Sequence, residues 1–250
     1  MTILTNPLNL QRTSEILKDK KIYINVVSKY RVQDNTSLTQ RISGLGSTNG
    51  RRDNKYFVSS SKAQWRGVTL FVDDFIQFVE NKNIRSDFNI AFVCESKEIK
   101  NRHFEMYLKY KDSFQLLITH DKDLIEKDPD KSIYVPASTI TLPEHSWGLN
   151  LHDKKKIVSH IFSHKIQTSG HKLRHTVNDF LNEKYPNRVD MFGPDILGDK
   201  KYVGVKPYLF SFAIENANYD TFFTDKILDC FISGTIPIYW GCSLKEAFCE

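Results

Sequence analysis

No apolar run in the 250-residue chain approaches the roughly 18 consecutive residues of a membrane-spanning helix. The amino terminus, MTILTNPLNLQRTSEILKDKK, lacks the basic start and apolar heart of a secretory signal. The chain is therefore expected to be soluble and cytoplasmic, with peripheral attachment to a membrane left open. Cysteine is scarce: Cys94, Cys230, Cys242 and Cys249 have no spacing of a zinc site or a redox pair. Cys94 and Cys230 lie in apolar contexts and read as buried small hydrophobes. Nor is there a strong excess of one charge. Thirty-five Lys and Arg against 30 Asp and Glu leave a net charge of +5, too mild to argue for a nucleic-acid partner.

What is present is enough apolar sequence, 40% of residues, for a substantial core. Short apolar runs recur: Lys20 to Val27, Phe88 to Glu95, Phe114 to Asp121 and Ser132 to Ser138 read as strands covered on both faces. Val68 to Asn81 reads as an amphipathic helix or a strand entering one, and Asn101 to Tyr110 as a helix. The polar stretch Arg41 to Asn54, with Gly44, Gly46 and Gly50, lacks dinucleotide-fold spacing. It reads as a surface loop, or as a lid facing a substrate. A shift to proline, glycine and charge at Leu142 to Lys156 sets a boundary, giving domains 1–150 and 151–250.

Beyond that boundary, strands alternate with helices: Lys156 to Ser163, a helix from His171 to Tyr185, Arg188 to Gly193, and Tyr208 to Glu215. A helix from Asp225 to Ser233, stopped by Gly234, and the strand TIPIYWG follow. Leu173, Val177, Phe180 and Leu181 form the apolar face of the His171 helix. The pattern is that of a doubly wound α/β domain, in which ligands bind beyond the carboxyl ends of the strands. Glu95, Asp121, Glu215 and Gly241 fall at such ends. Between Leu151 and Arg188, eight Lys and Arg against three Asp and Glu make a local basic patch suited to an anion. His160 with His164, and His171 with His175, have the i, i+4 spacing of metal ligands on a helix. The first pair overlaps a strand, no carboxylate or cysteine completes either set, and no metal site is assigned. Histidines of this loop can instead line a phosphate pocket.

The stretch AIENANYDTFFTDKILDCFISGTIPIYWG, Ala213 to Gly241, raises a sharper question. It places Glu215, Asn216, Asp225 and Lys226 where strand turns to helix, and a core unit needs none of them. Read as structure alone, Thr224 caps the helix, Asp225 sits in its first turn and Lys226 is solvated. The pattern Glu215-Asn216, Thr224-Asp225-Lys226-Ile227 and Gly234-Thr235-Ile236-Pro237-Ile238-Tyr239-Trp240-Gly241, however, resembles the α-1,3-fucosyltransferases, glycosyltransferase family 10. Val189-Asp190-Met191-Phe192-Gly193 resembles a further family element. Glu95-Ser96 and Phe114 to Asp121 resemble its amino-terminal motifs. This chain has Asp225 where the family usually has Glu, and Ile214 and Ala217 where it has Phe and Ser. Phe222 or Phe223 replaces a Tyr, with Tyr219 close by. Family members also continue past the last strand, so the second domain is expected to be incomplete.

The resemblance implies a GT-B architecture, two Rossmann-like domains facing a cleft, with acceptor side first and donor side second. It implies inverting transfer of L-fucose from GDP-fucose to a glycan hydroxyl, without a required cofactor or metal. The partners implied are a GDP-sugar and an acceptor oligosaccharide or glycoconjugate. Arg174 falls at the family's phosphate-binding arginine and Glu95 at its catalytic base. Arg174, Glu215, Asn216, Tyr219, Thr224, Asp225 and Lys226 become the donor-nucleotide set. Chemically, Lys226 in a helix's first turn and the planar fork of Arg174 suit a diphosphate. Asp225 or Glu215 suits a ribose diol, and a base on the opposite face takes the acceptor's proton. Asp121 is second choice for that base, although HDKD more readily forms a turn. Another nucleotide-sugar transferase, or a non-catalytic nucleotide- or glycan-binding module, fits the same scaffold.

Overall fold

The structure, a computed structural model, describes residues 22–27, 57–60, 67–82, 84, 86–137, 140–148, 154–196 and 198–243. The glycine-bearing stretch Arg41 to Asn54 lies outside them, as does Cys249. The first sheet holds β1 (Ile22–Val27), β2 (Phe57–Ser60), β3 (Val68–Val72), β4 (Phe88–Val93), β5 (Leu116–Thr119) and β6 (Ser132–Tyr134). Their order is β2-β1-β3-β4-β5-β6, and every pairing is parallel. Parallel neighbours need crossover connections. A three-ten helix (Asp73–Glu80) leads from β3 to β4, α1 (Lys97–Tyr110) from β4 to β5, and α2 (Lys122–Lys127) from β5 to β6. Helix α1 is kinked at Lys100 (φ −154°, ψ 83°), so its regular part starts at the expected Asn101. Phe71, Ala91, Val93 and Leu117 pack with Ile76, Tyr107, Phe114 and Leu124 in the core of this sheet.

The second sheet holds β7 (Lys156–Ile161), β8 (Asp190–Phe192), β9 (Tyr208–Ile214) and β10 (Ile236–Trp240), in the order β10-β9-β7-β8. It too is parallel throughout. Helix α3 (Ser169–Lys184) follows β7, and α4 (Asp225–Ile232) follows β9. They lie on opposite faces. His160 of β7 bonds to the α3 backbone, while its neighbour Ile161 packs in the cluster that contains Cys230 of α4, and successive strand residues face opposite ways. Gly234 (φ +67°) ends α4 as expected. Its N–H donates to Phe231 O (3.1 Å) and that of Thr235 to Cys230 O (2.8 Å), the paired closure of a Schellman cap.

One expectation is overturned on α3. Of its apolar face only Leu181 is buried; Leu173 and Val177 are half-buried, and Phe180 is 51% exposed against Tyr185. The buried positions are instead Gly170, His171 and Arg174, because this helix meets the sheet through its polar first turns. Cys94, Cys230 and Cys242 are buried free thiols. Among the described residues no helix is long and apolar enough to cross a membrane. The chain divides into two compact units, and Cys94–Arg102 belongs with Val135–Glu250 in the second, while His103–Tyr134 belongs to the first.

Candidate functional site

The strand order of the second sheet locates its crevice. The chain leaves β7 for β8 on one side and returns to β9 on the other, so the connections after β7 and β9 diverge. Such a switch point opens a crevice at the carboxyl ends of the two strands. The start of α3 and the turn from β9 into α4 border it. Gly170 makes their close approach possible: its N–H donates to Asn216 O at 3.0 Å, and a Cβ there would lie 1.7 Å from Glu215 O.

Arg174, 7% exposed, reaches from α3 to the end of β9. Its Nε and Nη2 donate to Ile214 O (3.0 and 2.7 Å), and Nη2 also donates to Asn216 Oδ1 (2.7 Å). Among the described residues these acceptors are all neutral. Burial lowers the Arg174 pKa, and Glu215 and Asp225 oppose that by charge alone. A buried cation without a bonded anion is costly. Glu215, fully buried, accepts the N–H and hydroxyl of Thr224 at 2.8 and 2.6 Å. It thereby braces the β9–α4 loop from within. Thr224 caps α4 and is mostly buried. Lys226 keeps 22% of its side chain exposed, with Nζ 2.9 Å from Thr224 Oγ1 and 3.4 Å from Glu215 Oε2.

Asp225, half-buried, pairs with Lys201, a residue that no motif singled out. Lys201 also donates to Asp229 (2.7 Å), which is fully buried and accepts the backbone N–H groups of Thr141 (2.7 Å) and Leu142 (3.2 Å). Burial would raise the Asp225 pKa, but the charges of Lys201 and Lys226 hold it well below the usual carboxylate range. His171, in the third position of α3, is 5% exposed. Its Nδ1 accepts the Thr168 N–H at 3.4 Å, so the ring proton of the neutral form sits on Nε2. Burial first, then the charges of Arg174, Lys165 and Lys226, lowers its pKa to about 4. The region is electropositive and has a neutral histidine within it.

The remaining sequence-predicted residues fall as follows. Glu95 is half-buried, two residues beyond β4. Tyr219 Oη accepts the Glu98 N–H (3.1 Å), and its ring packs edge-on against Phe222. Asp121 caps α2, its Oδ1 accepting the Leu124 N–H at 3.1 Å, as a turn residue should. His160 and His175 each donate Nε2–H to a backbone carbonyl, those of Arg174 and Lys165. Among the described residues no three His, Cys, Asp or Glu side chains cluster to hold a metal. Lys201, Asp229 and Gly170 escaped notice because each acts through a contact distant in sequence.

A parallel α/β sheet of this order places ligand sites at its switch point, and here the cations Arg174 and Lys226 stand beside it. Residues 151–248 match the family described as Glycosyltransferase family 10 (fucosyltransferase) C-term. Over that segment the chain is similar to the carboxyl-terminal domain of glycosyltransferase family 10, a family of GT-B fold, and the match supports a glycosyltransferase with a fucosyltransferase domain. No curated protein matches the chain.

Proposed function

We propose that the protein transfers L-fucose from GDP-fucose to a hydroxyl of an acceptor glycan, with inversion. The observation that carries this is Arg174, a buried guanidinium bonded to neutral oxygens at the switch point of the family-matched domain. A diphosphate supplies the anion that this cation lacks, with Lys226 as a second contact. Asp225, more exposed than the fully engaged Glu215, takes the ribose diol, and Lys201 holds its carboxylate in place. Asn216, Tyr219 and Thr224 shape the rest of the nucleotide pocket. In the reaction the acceptor oxygen attacks the anomeric carbon of fucose. The bond from that carbon to the β-phosphate oxygen breaks, and GDP departs with the electron pair. Glu95 receives the acceptor's proton.

Lys226 and Arg174 bring their own positive charge to the departing diphosphate, so no divalent ion is required for its binding. Calorimetry with GDP and UDP, each with and without a chelator, tests both statements. GDP is expected to bind more tightly, and chelation to leave its affinity unchanged. Equal or reversed nucleotide preference would remove the fucosyl reading, and loss of GDP binding on chelation would refute the role given to the two cations.

A further inference from the structure

The amino-terminal N–H groups of α3 are all engaged. Gly170 donates to Asn216 O (3.0 Å) and His171 to Thr168 Oγ1 (3.2 Å), both within the crevice's own walls. The first, Ser169, donates its N–H to Glu98 Oε2 at 2.6 Å and its hydroxyl to Glu98 Oε1 at 2.8 Å. A carboxylate at this end of a helix is favoured by the dipole as well as by the bonds. The Glu98 backbone N–H in turn donates to Tyr219 Oη at 3.1 Å. One residue therefore grips both the start of α3 and the loop between β9 and α4. Glu98 lies in the Cys94–Arg102 segment of the second unit, three positions after Glu95. The backbone between them is tightly turned: Ser96, fully buried, accepts the N–H groups of Ile99 and Lys100, both at 3.0 Å.

We propose that Glu98 is a positioning residue of the transfer reaction. By docking on Ser169 and Tyr219 it fixes the short turn that carries Glu95, and so orients the base relative to the donor loops. The inference rests on the fucosyltransferase reading given above. It assigns Glu98 to turnover and not to holding the nucleotide, because its carboxylate bonds to Ser169, whereas Arg174 and Lys226 supply the cations for the diphosphate.

The test uses the full chain and measures kcat with GDP-fucose, KM for the donor, GDP affinity by calorimetry, and melting temperature. Glu98→Ala is expected to lower kcat by about 10- to 100-fold, the usual consequence of a small misplacement of a reacting group. GDP affinity should stay within about threefold. Glu98→Gln should recover part of the loss, since its amide oxygen still accepts the Ser169 N–H, and it serves if the alanine variant folds poorly. Ser169→Ala should lower kcat in the parent but add nothing in the Glu98→Ala background. Tighter GDP binding by Glu98→Ala would overturn the inference, for the carboxylate would then be competing with the diphosphate. Unchanged kcat in an active enzyme would overturn it as well, leaving the transferase reading intact. A parent chain that binds GDP but turns over no GDP-fucose would instead refute that reading, and this inference with it.

Discussion

Glu95 and Lys226 are assigned to opposite reactants, and their variants should differ accordingly. Glu95→Gln keeps the size and the hydrogen-bonding oxygen of the side chain but removes the base. General-base catalysis is typically worth about 10²–10⁴-fold, and transfer should fall by roughly that factor while GDP affinity barely changes. Lys226 sits at 2.9 Å from Thr224 Oγ1 with its side chain still partly exposed, so its charge is available to a ligand before and during reaction. Lys226→Ala should weaken GDP binding and turnover together, because a charge that meets the diphosphate in both states contributes to both. Steady-state kinetics alongside calorimetry separates the two signatures. An active enzyme whose Glu95→Gln variant kept full transfer would move the base elsewhere, to Asp121 next.

The packing of α3 on β9 depends on the missing side chain of Gly170. A methyl group there would overlap Glu215 O, so Gly170→Ala must push the helix off the strand. Overpacking of this kind typically costs about 1–3 kcal/mol. It also stretches the bonds from Arg174 to Ile214 O and Asn216 Oδ1. The expected result is a lower unfolding midpoint together with weaker GDP binding; a variant as stable and as tight as the parent would show that the contact yields freely. This element also marks how far sequence reading reaches. Most of the strands and the α4 helix with its Gly234 stop were legible, because short-range pattern and turn chemistry determine them. Strand β2 was not legible, β3 stood between strand and helix, and the reading of Glu215 to Lys226 as a site came from the family resemblance. The buried face of α3 was not legible either. Apolar periodicity pointed to Phe180, whereas His171 is inside with its Nδ1 accepting the Thr168 N–H, and Arg174 is inside because it donates to Ile214 O at the end of β9. The Lys201 bridge between Asp225 and Asp229 was equally hidden, since only the fold brings Lys201 alongside the first turns of α4.

Across the whole molecule, the two units should respond to pH in opposite senses. In the second, burial lowers His160 to about 4, and His171 is lowered to about 4 by burial and by Arg174, Lys165 and Lys226. Their unfolded forms titrate near 6.5, so between those values the unfolded chain binds more protons. The stability from these depressed values is present above pH 6.5 and lost as pH falls towards 4, on the order of 3 kcal/mol for His160 as an upper bound. In the first unit His103 is buried, which alone would lower its pKa. Asp73 and Asp74 outweigh this, with Nε2 at 2.7 Å from Asp74 Oδ1 and Nδ1 at 3.4 Å from Asp73 Oδ1, and the net shift is upward. That contribution is complete below 6.5 and is lost as pH rises through the raised value. Hydrogen exchange resolved by peptide, with intrinsic rates corrected for pH, distinguishes the units where a single melting curve does not. Protection in β7 and β9 should weaken on acidification below pH 6.5, and protection in β4 and the later part of α1 on alkalinisation above it. His160→Gln, which retains a donor for Arg174 O, should weaken the acid response of the second unit alone, with His171 keeping its own share. An acid response unchanged in that variant would assign it to groups other than His160.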